Sequence, residues 1–396
     1  MTRAVLFLLF SASVASPQGH TVTDDDVMKV HRSAILIDTH NDVTGKTVDG
    51  FDIGAPAKSG HTDLPRLKAG GVGAVFFAVY VAANFVQGNR AAHRTLEIID
   101  TVRHDIIARY PNDFVLALTA ADIRRAHKQG KIAALMGIEG GHAIQDSLRL
   151  LRSYYALGIR YMTLTHSNTN NWADSSGEAA KHNGLTAFGK DVVREMNLLG
   201  MMVDISHVSD KTFWDVLEVS RVPVFASHSS CRAISKIPRN MTDEMIVALA
   251  KKGGVVQINL GCEFLSQKSA DASPWGNPEL MARLRVKAGD IKDPRERRAA
   301  MRKLMAEMDL KVPRATLADM VVHIDRVVKI AGIDAVGIGS DFDGVSCTPE
   351  GLDDVSKFPN LTRALLEKGY SAVDIRKIYG ENLLRVMHAV ETVAGK

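Results

Sequence analysis

Cysteine is scarce in this chain: Cys231, Cys262 and Cys347 are the only three among 396 residues. An odd, scattered set argues against a disulfide framework, and without a C-x-x-C pair a thiolate metal site is not expected either. A surplus of one charge is also lacking. The formal net charge is +4, so nothing calls for a nucleic-acid partner, and the basic residues at 295–298 are interleaved with acidic ones as on a solvated helix face. Long apolar runs are missing as well. The segment 4–10 is too short to span a bilayer, and the C-terminal MHAVETVAGK has no hydrophobic tail of the kind a glycolipid-anchor signal requires. No stable membrane anchor is therefore expected. Nor is there a linker, a low-complexity tract or a short repeat, so residues 22–396 read as a single domain.

Hydrophobic residues make up 46% of the chain and charged residues 24%, the balance of a soluble protein with a large core. The N-terminus combines Arg3, the apolar stretch 4–10 and the small residues Ser13, Val14 and Ala15. That pattern reads as a secretory signal over 1–15, and hence as export to the periplasm or beyond. Eight apolar, β-branched runs follow, at 34–40, 73–81, 132–139, 160–166, 201–207, 223–228, 254–260 and 335–341. Several are almost continuously hydrophobic, as strands covered on both faces must be. Segments such as 94–110, 185–199 and 243–251 carry apolar residues at helical spacing. Strand and helix alternating eight times predicts an α/β fold, a (β/α)₈ barrel. The charged stretch 267–312, between the seventh and eighth runs, reads as an insertion whose KDPRERRAAMRKLMAEMD portion forms an exposed helix.

The ends of these runs carry the chemistry. The first ends with His40 and Asp42, the third with Glu139, and the fourth, fifth and sixth with His166, His207 and His228; the eighth ends with Asp341. Functional groups of such barrels collect at the C-terminal ends of the strands. One histidine there is most often structural. Four, joined by Glu139 and Asp341 in a chain with only 14 histidines, point to one shared site. Imidazole with carboxylate suits a borderline metal, and zinc is the usual hydrolytic choice. Glu139, followed by Gly140 and Gly141, is assigned as a bridge between two ions; His40 and Asp42 complete one, and His207 and His228 the other. Ions about 3.5–4 Å apart can hold a hydroxide between them at neutral pH.

With those residues placed, the chain closely resembles the membrane (renal) dipeptidases and their bacterial relatives, peptidase family M19. The resemblance runs from about residue 37 to 390 and rests on IDTHND, GIEGGHAI, YMTLTHS with NWADS, DISHVS, SHSS, GSDFDGV and ENLLRV. It implies two Zn²⁺ per chain on His40, Asp42, bridging Glu139, His207 and His228, the set already reached from the strand ends. It further implies that His166 binds the oxyanion of the tetrahedral intermediate, that Arg239 grips the substrate's terminal carboxylate and that Asp341 moves protons. Small dipeptide substrates and a homodimer follow from the same resemblance. Asn168 stands where the mammalian enzymes have a cysteine, and Asn259-Leu260-Gly261 lacks the aromatic residue of their pocket, so side-chain preference does not carry over. Two other readings remain beside it. One is a deaminase or lactonase of the amidohydrolase type, which commonly opens with H-x-H where this chain has His40 and Asp42. The other is a catalytically silent binding protein, against which every ligand position is filled. Trp172 is either a pocket wall or a packed loop anchor, and His142 is expected to support the ligands by hydrogen bonding.

Overall fold

The structure, a computed structural model, describes residues 21–395 except 275, 290, 292–299, 301–302 and 305–311. The segment read as a secretory signal lies outside the described residues, as does most of the charged helix expected within 292–309.

Nine parallel strands form one sheet: β1 (Leu36–Asn41), β2 (Val72–Tyr80), β3 (Phe114–Leu116), β4 (Ile132–Glu139), β5 (Ile159–Thr163), β6 (Met202–Asp204), β7 (Phe225–Ala226), β8 (Val255–Ile258) and β9 (Val336–Ile338). Eight of them follow the order β1-β2-β4-β5-β6-β7-β8-β9, and short β3 pairs with the start of β4. β3 is the one strand the hydrophobic pattern does not announce, because three residues are too few to show a period. The barrel is nearly closed. Beyond the end of β9, Asn41 pairs with Phe342 in a parallel bridge, Asp341 N–H donates to His40 O at 3.0 Å and Asp42 N–H donates to Phe342 O at 2.9 Å. Buried Asp38 tightens that seam by accepting from Ser340 N (2.8 Å) and Ser340 Oγ (2.6 Å).

Residues alternate across the strands as the pleat requires. Leu36, Val75, Phe77, Ala134, Met136 and Val256 face the surrounding helices, while Ile37, Phe76, Leu135, Met202 and Val255 fill the barrel. Inside, the Tyr161 ring lies 5.3 Å from those of Phe76 and Phe225. A Cβ on Gly137 would collide with the Tyr161 ring, so only glycine leaves room for this plug. Leu383, Leu384 and Met387 of the helix Asn382–Glu391 join the same inner cluster. Arg385 on that helix donates to Gly253 O and Asp334 O, just ahead of β8 and β9, so the helix caps the N-terminal end of the barrel. The C-terminal end is thereby left as the mouth. Among the described residues no helix is long and apolar enough to cross a membrane.

Of the stretch after β8, the helices Cys262–Leu265, Gln267–Ala272 and Pro278–Ala288 are described. Here one expectation is corrected. Cys262 and Cys347 form a disulfide, with Cα atoms 5.4 Å apart, and only Cys231 remains free and buried. The pair is 85 residues apart in sequence, but β8 and β9 are barrel neighbours, so the loops leaving them meet above the mouth. An odd count therefore conceals one bond and one packed thiol. Replacing both bonded cysteines by serine is expected to cost about 2–4 kcal/mol of stability, the usual scale for a native crosslink. Calorimetry should show a lower melting temperature with an unchanged far-ultraviolet spectrum; an unchanged melting temperature would mean that Cys262 N–H···Cys347 O (3.1 Å) holds the loops unaided.

Candidate metal centre

The strands proper stop short of most of the expected site residues. β5 ends at Thr163, β6 at Asp204, β7 at Ala226 and β9 at Ile338, so His166, His207, His228 and Asp341 stand two or three residues beyond, on the loops that turn over the mouth. His207 (φ 70°), Asp341 (φ 59°) and Asp343 (φ 70°) adopt left-handed backbone. This is a conformation that His and Asp tolerate better than branched residues and that clusters at functional sites.

These turns aim the side chains at one point, the carboxylate of Glu139. Its Oε1 lies 2.9 Å from His207 Nε2, 3.3 Å from His228 Nε2 and 3.9 Å from His166 Nε2, while Oε2 lies 3.6 Å from His40 Nε2. His40 Nε2 is also 3.3 Å from Asp42 Oδ2. Three overlapping groups of donor atoms could each hold a cation: His40, Glu139 and His228; Glu139, His166 and His207; and His40, Asp42 and Asp341. All the residues expected at the site are thus brought together. Arg239 joins them from the loop after β7. Its Nη1 donates to Ser229 Oγ and its Nη2 to His228 O, both at 3.0 Å, and its guanidinium lies 5.4 Å from the centre of the Phe264 ring.

The electrostatics of this cluster suit a cation. Burial works against a charged His40, but Tyr161, Asp42 and Glu139 outweigh it and hold the imidazole well above its ordinary range. Burial and Arg239 hold His207 well below its range; burial and His40 do the same for His228. Burial opposes ionisation of Glu139, yet the surrounding imidazoles keep it well below the usual carboxylate range. Burial and the neighbouring charge of Asp42 push Asp341 well above it. His40 Nε2 and Asp42 Oδ2 are both buried without a hydrogen bond among the described residues. Buried polar atoms of that kind are costly unless something else satisfies them. The neutral imidazoles of His207 and His228, the ionised carboxylate of Glu139 and the two orphaned atoms of His40 and Asp42, all facing one space, fit a bound metal ion. A Cβ on Gly344 would run into Asp42 Oδ2 and Asp341 Oδ1, so glycine is needed where that loop passes over the carboxylates.

Several supporting residues escaped the reading of strand ends. Tyr161 OH is 2.9 Å from His40 Nδ1, and Ser227 Oγ is 2.7 Å from His228 Nδ1. Asn259 Nδ2 donates to Asp341 Oδ2 at 2.7 Å, and Asn259 Oδ1 accepts from Gly261 N–H at 2.7 Å. The available signal was a polar side chain inside an otherwise apolar run. His142 touches none of the donor atoms: its Nε2 is bonded to Val81 O at 2.8 Å, and burial pushes its pKa down to about 4. Trp172 is 1% exposed and packs as a loop anchor.

A family model described as membrane dipeptidase (peptidase family M19) matches residues 25–396. Among solved structures the chain is similar to the probable dipeptidase PvdM from Pseudomonas aeruginosa, at 27% identity and TM-score 0.81 over 94% of this chain and 99% of that one. It is similar to dipeptidase AC, a metallopeptidase of family M19, at 26% identity and TM-score 0.74 over 92% and 99%. It is also similar to a metallopeptidase from Rhodobacter sphaeroides, solved with a phosphinate mimic of the dipeptide L-Ala-D-Ala, at 25% identity and TM-score 0.73 over 90% and 99%.

A cation that binds the folded site and not the unfolded chain stabilises the fold by mass action, about 2.7 kcal/mol at a hundred times its dissociation constant. Metal-free protein should therefore melt at a higher temperature when zinc is added. Glu139→Gln, which keeps the shape and removes the charge, should lose most of that increase, and an equal increase in both proteins would take Glu139 out of the site.

Proposed function

This chain belongs to the membrane dipeptidase family, peptidase family M19, and is a metallodipeptidase; we propose that it works with two zinc ions and cleaves dipeptides that have a free C-terminal carboxylate. The observation that carries the reading is the convergence of four imidazoles on both oxygens of Glu139. In this assignment His40 and Asp42 would hold one ion, His207 and His228 would hold the other, and Glu139 would serve both. When bound, the pair would polarise the scissile carbonyl and lower the pKa of a shared water toward neutrality.

The chain's own groups do the rest. Arg239 binds the substrate carboxylate. Burial pushes its pKa down only to about 10, so it is still a cation at neutral pH. Its two bonds to Ser229 and His228 register its fork, suited to two parallel bonds to a carboxylate, against the loop that carries His228. The scissile carbonyl is thereby set one residue away from that anchor. His166, held below its ordinary pKa by burial, is a neutral donor for the oxygen on which negative charge develops, a contribution of about 3–4 kcal/mol in comparable sites. Asp341, with one oxygen fixed by Asn259, takes the proton of the attacking water and passes it to the leaving amine. A carboxyl held above its ordinary range is suited to both halves of that transfer. The dipeptide mimic bound by the Rhodobacter sphaeroides relative supports the substrate class. The Cys262–Cys347 bond supports an oxidising compartment and so agrees with export through the 1–15 signal.

The test has three parts. A chelator should abolish activity and zinc restore it, with two ions per chain by metal analysis; one ion in fully active enzyme refutes the paired site. Asp341→Asn should lower kcat by roughly 10²–10⁴-fold with metal content retained, and an unchanged kcat removes Asp341 from the reaction. Amidating the substrate's C-terminus should cost about 2–5 kcal/mol by leaving a buried cation unpaired. Arg239→Ala should reduce kcat/KM strongly for free dipeptides and barely for amidated ones. Losses that simply add in the four combinations would show that Arg239 does not hold the carboxylate.

A further inference from the structure

Ser227 Oγ lies between two groups that make different demands on one hydroxyl. It donates to Asp204 Oδ2 at 2.6 Å and is 2.7 Å from His228 Nδ1. Asp204 is fully buried and accepts from every side. Its Oδ1 receives the backbone N–H of Ser206 (3.0 Å) and of Ser227 (2.8 Å), and its Oδ2 receives Thr163 Oγ1 (2.5 Å) as well as Ser227. A hydroxyl has one hydrogen. With that hydrogen directed to Asp204, only lone pairs of Ser227 face His228. The imidazole must then carry its proton on Nδ1 and present the Nε2 lone pair, which lies 3.3 Å from Glu139 Oε1.

Behind His40 stand only neutral groups: Tyr161 OH donates to Thr39 O at 3.1 Å and faces His40 Nδ1 at 2.9 Å. His207 Nδ1 is buried with no hydrogen-bond partner among the described residues. Of these three imidazoles, His228 alone is connected on its far side to a carboxylate.

We propose that Asp204, acting through Ser227, is a positioning pair that locks His228 in its Nδ1–H tautomer and sets the affinity of the metal position His228 serves. The inference rests on the ligand assignment above. A carboxylate behind an imidazole orients the ring and raises its basicity toward a metal, and loss of such a partner typically costs 10–100-fold in metal affinity. Asp204 also joins β5, β6 and β7, so a purely structural role is the competing account. Ser227→Ala separates the two. It leaves the bonds of Asp204 to Ser206 N, Ser227 N and Thr163 in place and removes the hydroxyl that links Asp204 to His228, together with its 3.4 Å contact to Ser206 Oγ.

Zinc affinity of metal-free protein, measured by competition with a chromophoric chelator, and histidine tautomers, read from ¹⁵N chemical shifts, give two signals independent of turnover. Ser227→Ala should weaken one of the two zinc equivalents by about 10–100-fold and leave the other unchanged. The His228 nitrogens should move from a pure Nδ1–H pattern to a mixture. Ser227→Cys keeps a side chain of similar size with much weaker hydrogen bonding and should give the same result if alanine unsettles the fold. Wild-type affinity and tautomer in both variants, with His228→Ala losing one equivalent, overturns the relay alone. Full zinc uptake by His228→Ala overturns the ligand assignment and the relay with it.

Discussion

A buried carboxylate surrounded by imidazoles is the constraint around which the mouth of this barrel is built. Glu139 has both oxygens within 4 Å of histidine nitrogens that arrive from four separate strands. None of these contacts is local: the partners lie between 27 and 99 residues away in sequence. Each needs its strand in register and its exit loop turned inward. Hence the left-handed backbone at His207 and Asp341, and hence the buried hydrogen-bonding groups that stand behind these side chains.

Those groups share one logic. Asp38 and Asp204 are buried carboxylates that bind backbone and hydroxyl donors on adjacent strands instead of forming ion pairs. Asp38 closes the seam between β1 and the loop after β9 through Ser340. Asp204 ties β5, β6 and β7 together through Thr163 and Ser227. A carboxylate that accepts several neutral donors can remain in a dry interior where a lone charge would be prohibitively costly. In both cases the residue held in place adjoins a group of the centre, Ser340 beside Asp341 and Ser227 beside His228, so the bonds that close the barrel also position residues at its mouth. The Phe76–Tyr161–Phe225 plug is the apolar counterpart. It fills the barrel and carries the Tyr161 hydroxyl up to His40.

The barrel fold was legible in sequence because parallel strands covered on both faces must be apolar along their whole length, and β2 and β4 show this plainly. Strand limits were less legible. The runs reaching His166, His207, His228 and Asp341 continue through residues that have left the sheet, because a loop buried over the mouth is as apolar as the strand beneath it. The disulfide was misread for a related reason. Cys262 and Cys347 meet through strand neighbourhood across the closing side of the barrel, and neither their number nor their spacing expresses that.

For the site, sequence by itself supplied the candidates. His40, Asp42, Glu139, His166, His207, His228 and Asp341 stand out because ionisable residues that end apolar strands are expensive to place there without a task. Arg239 became a candidate only through the family resemblance, since a lone arginine on a loop has no periodicity to betray it. Tertiary structure alone decided which nitrogen of each imidazole faces Glu139, that Asn259 restrains Asp341, and that Ser227 stands between Asp204 and His228. These are hydrogen bonds between strands far apart in the chain. Their existence depends on ångström-scale register and side-chain rotamers, and a linear pattern of polar and apolar residues carries no term for either.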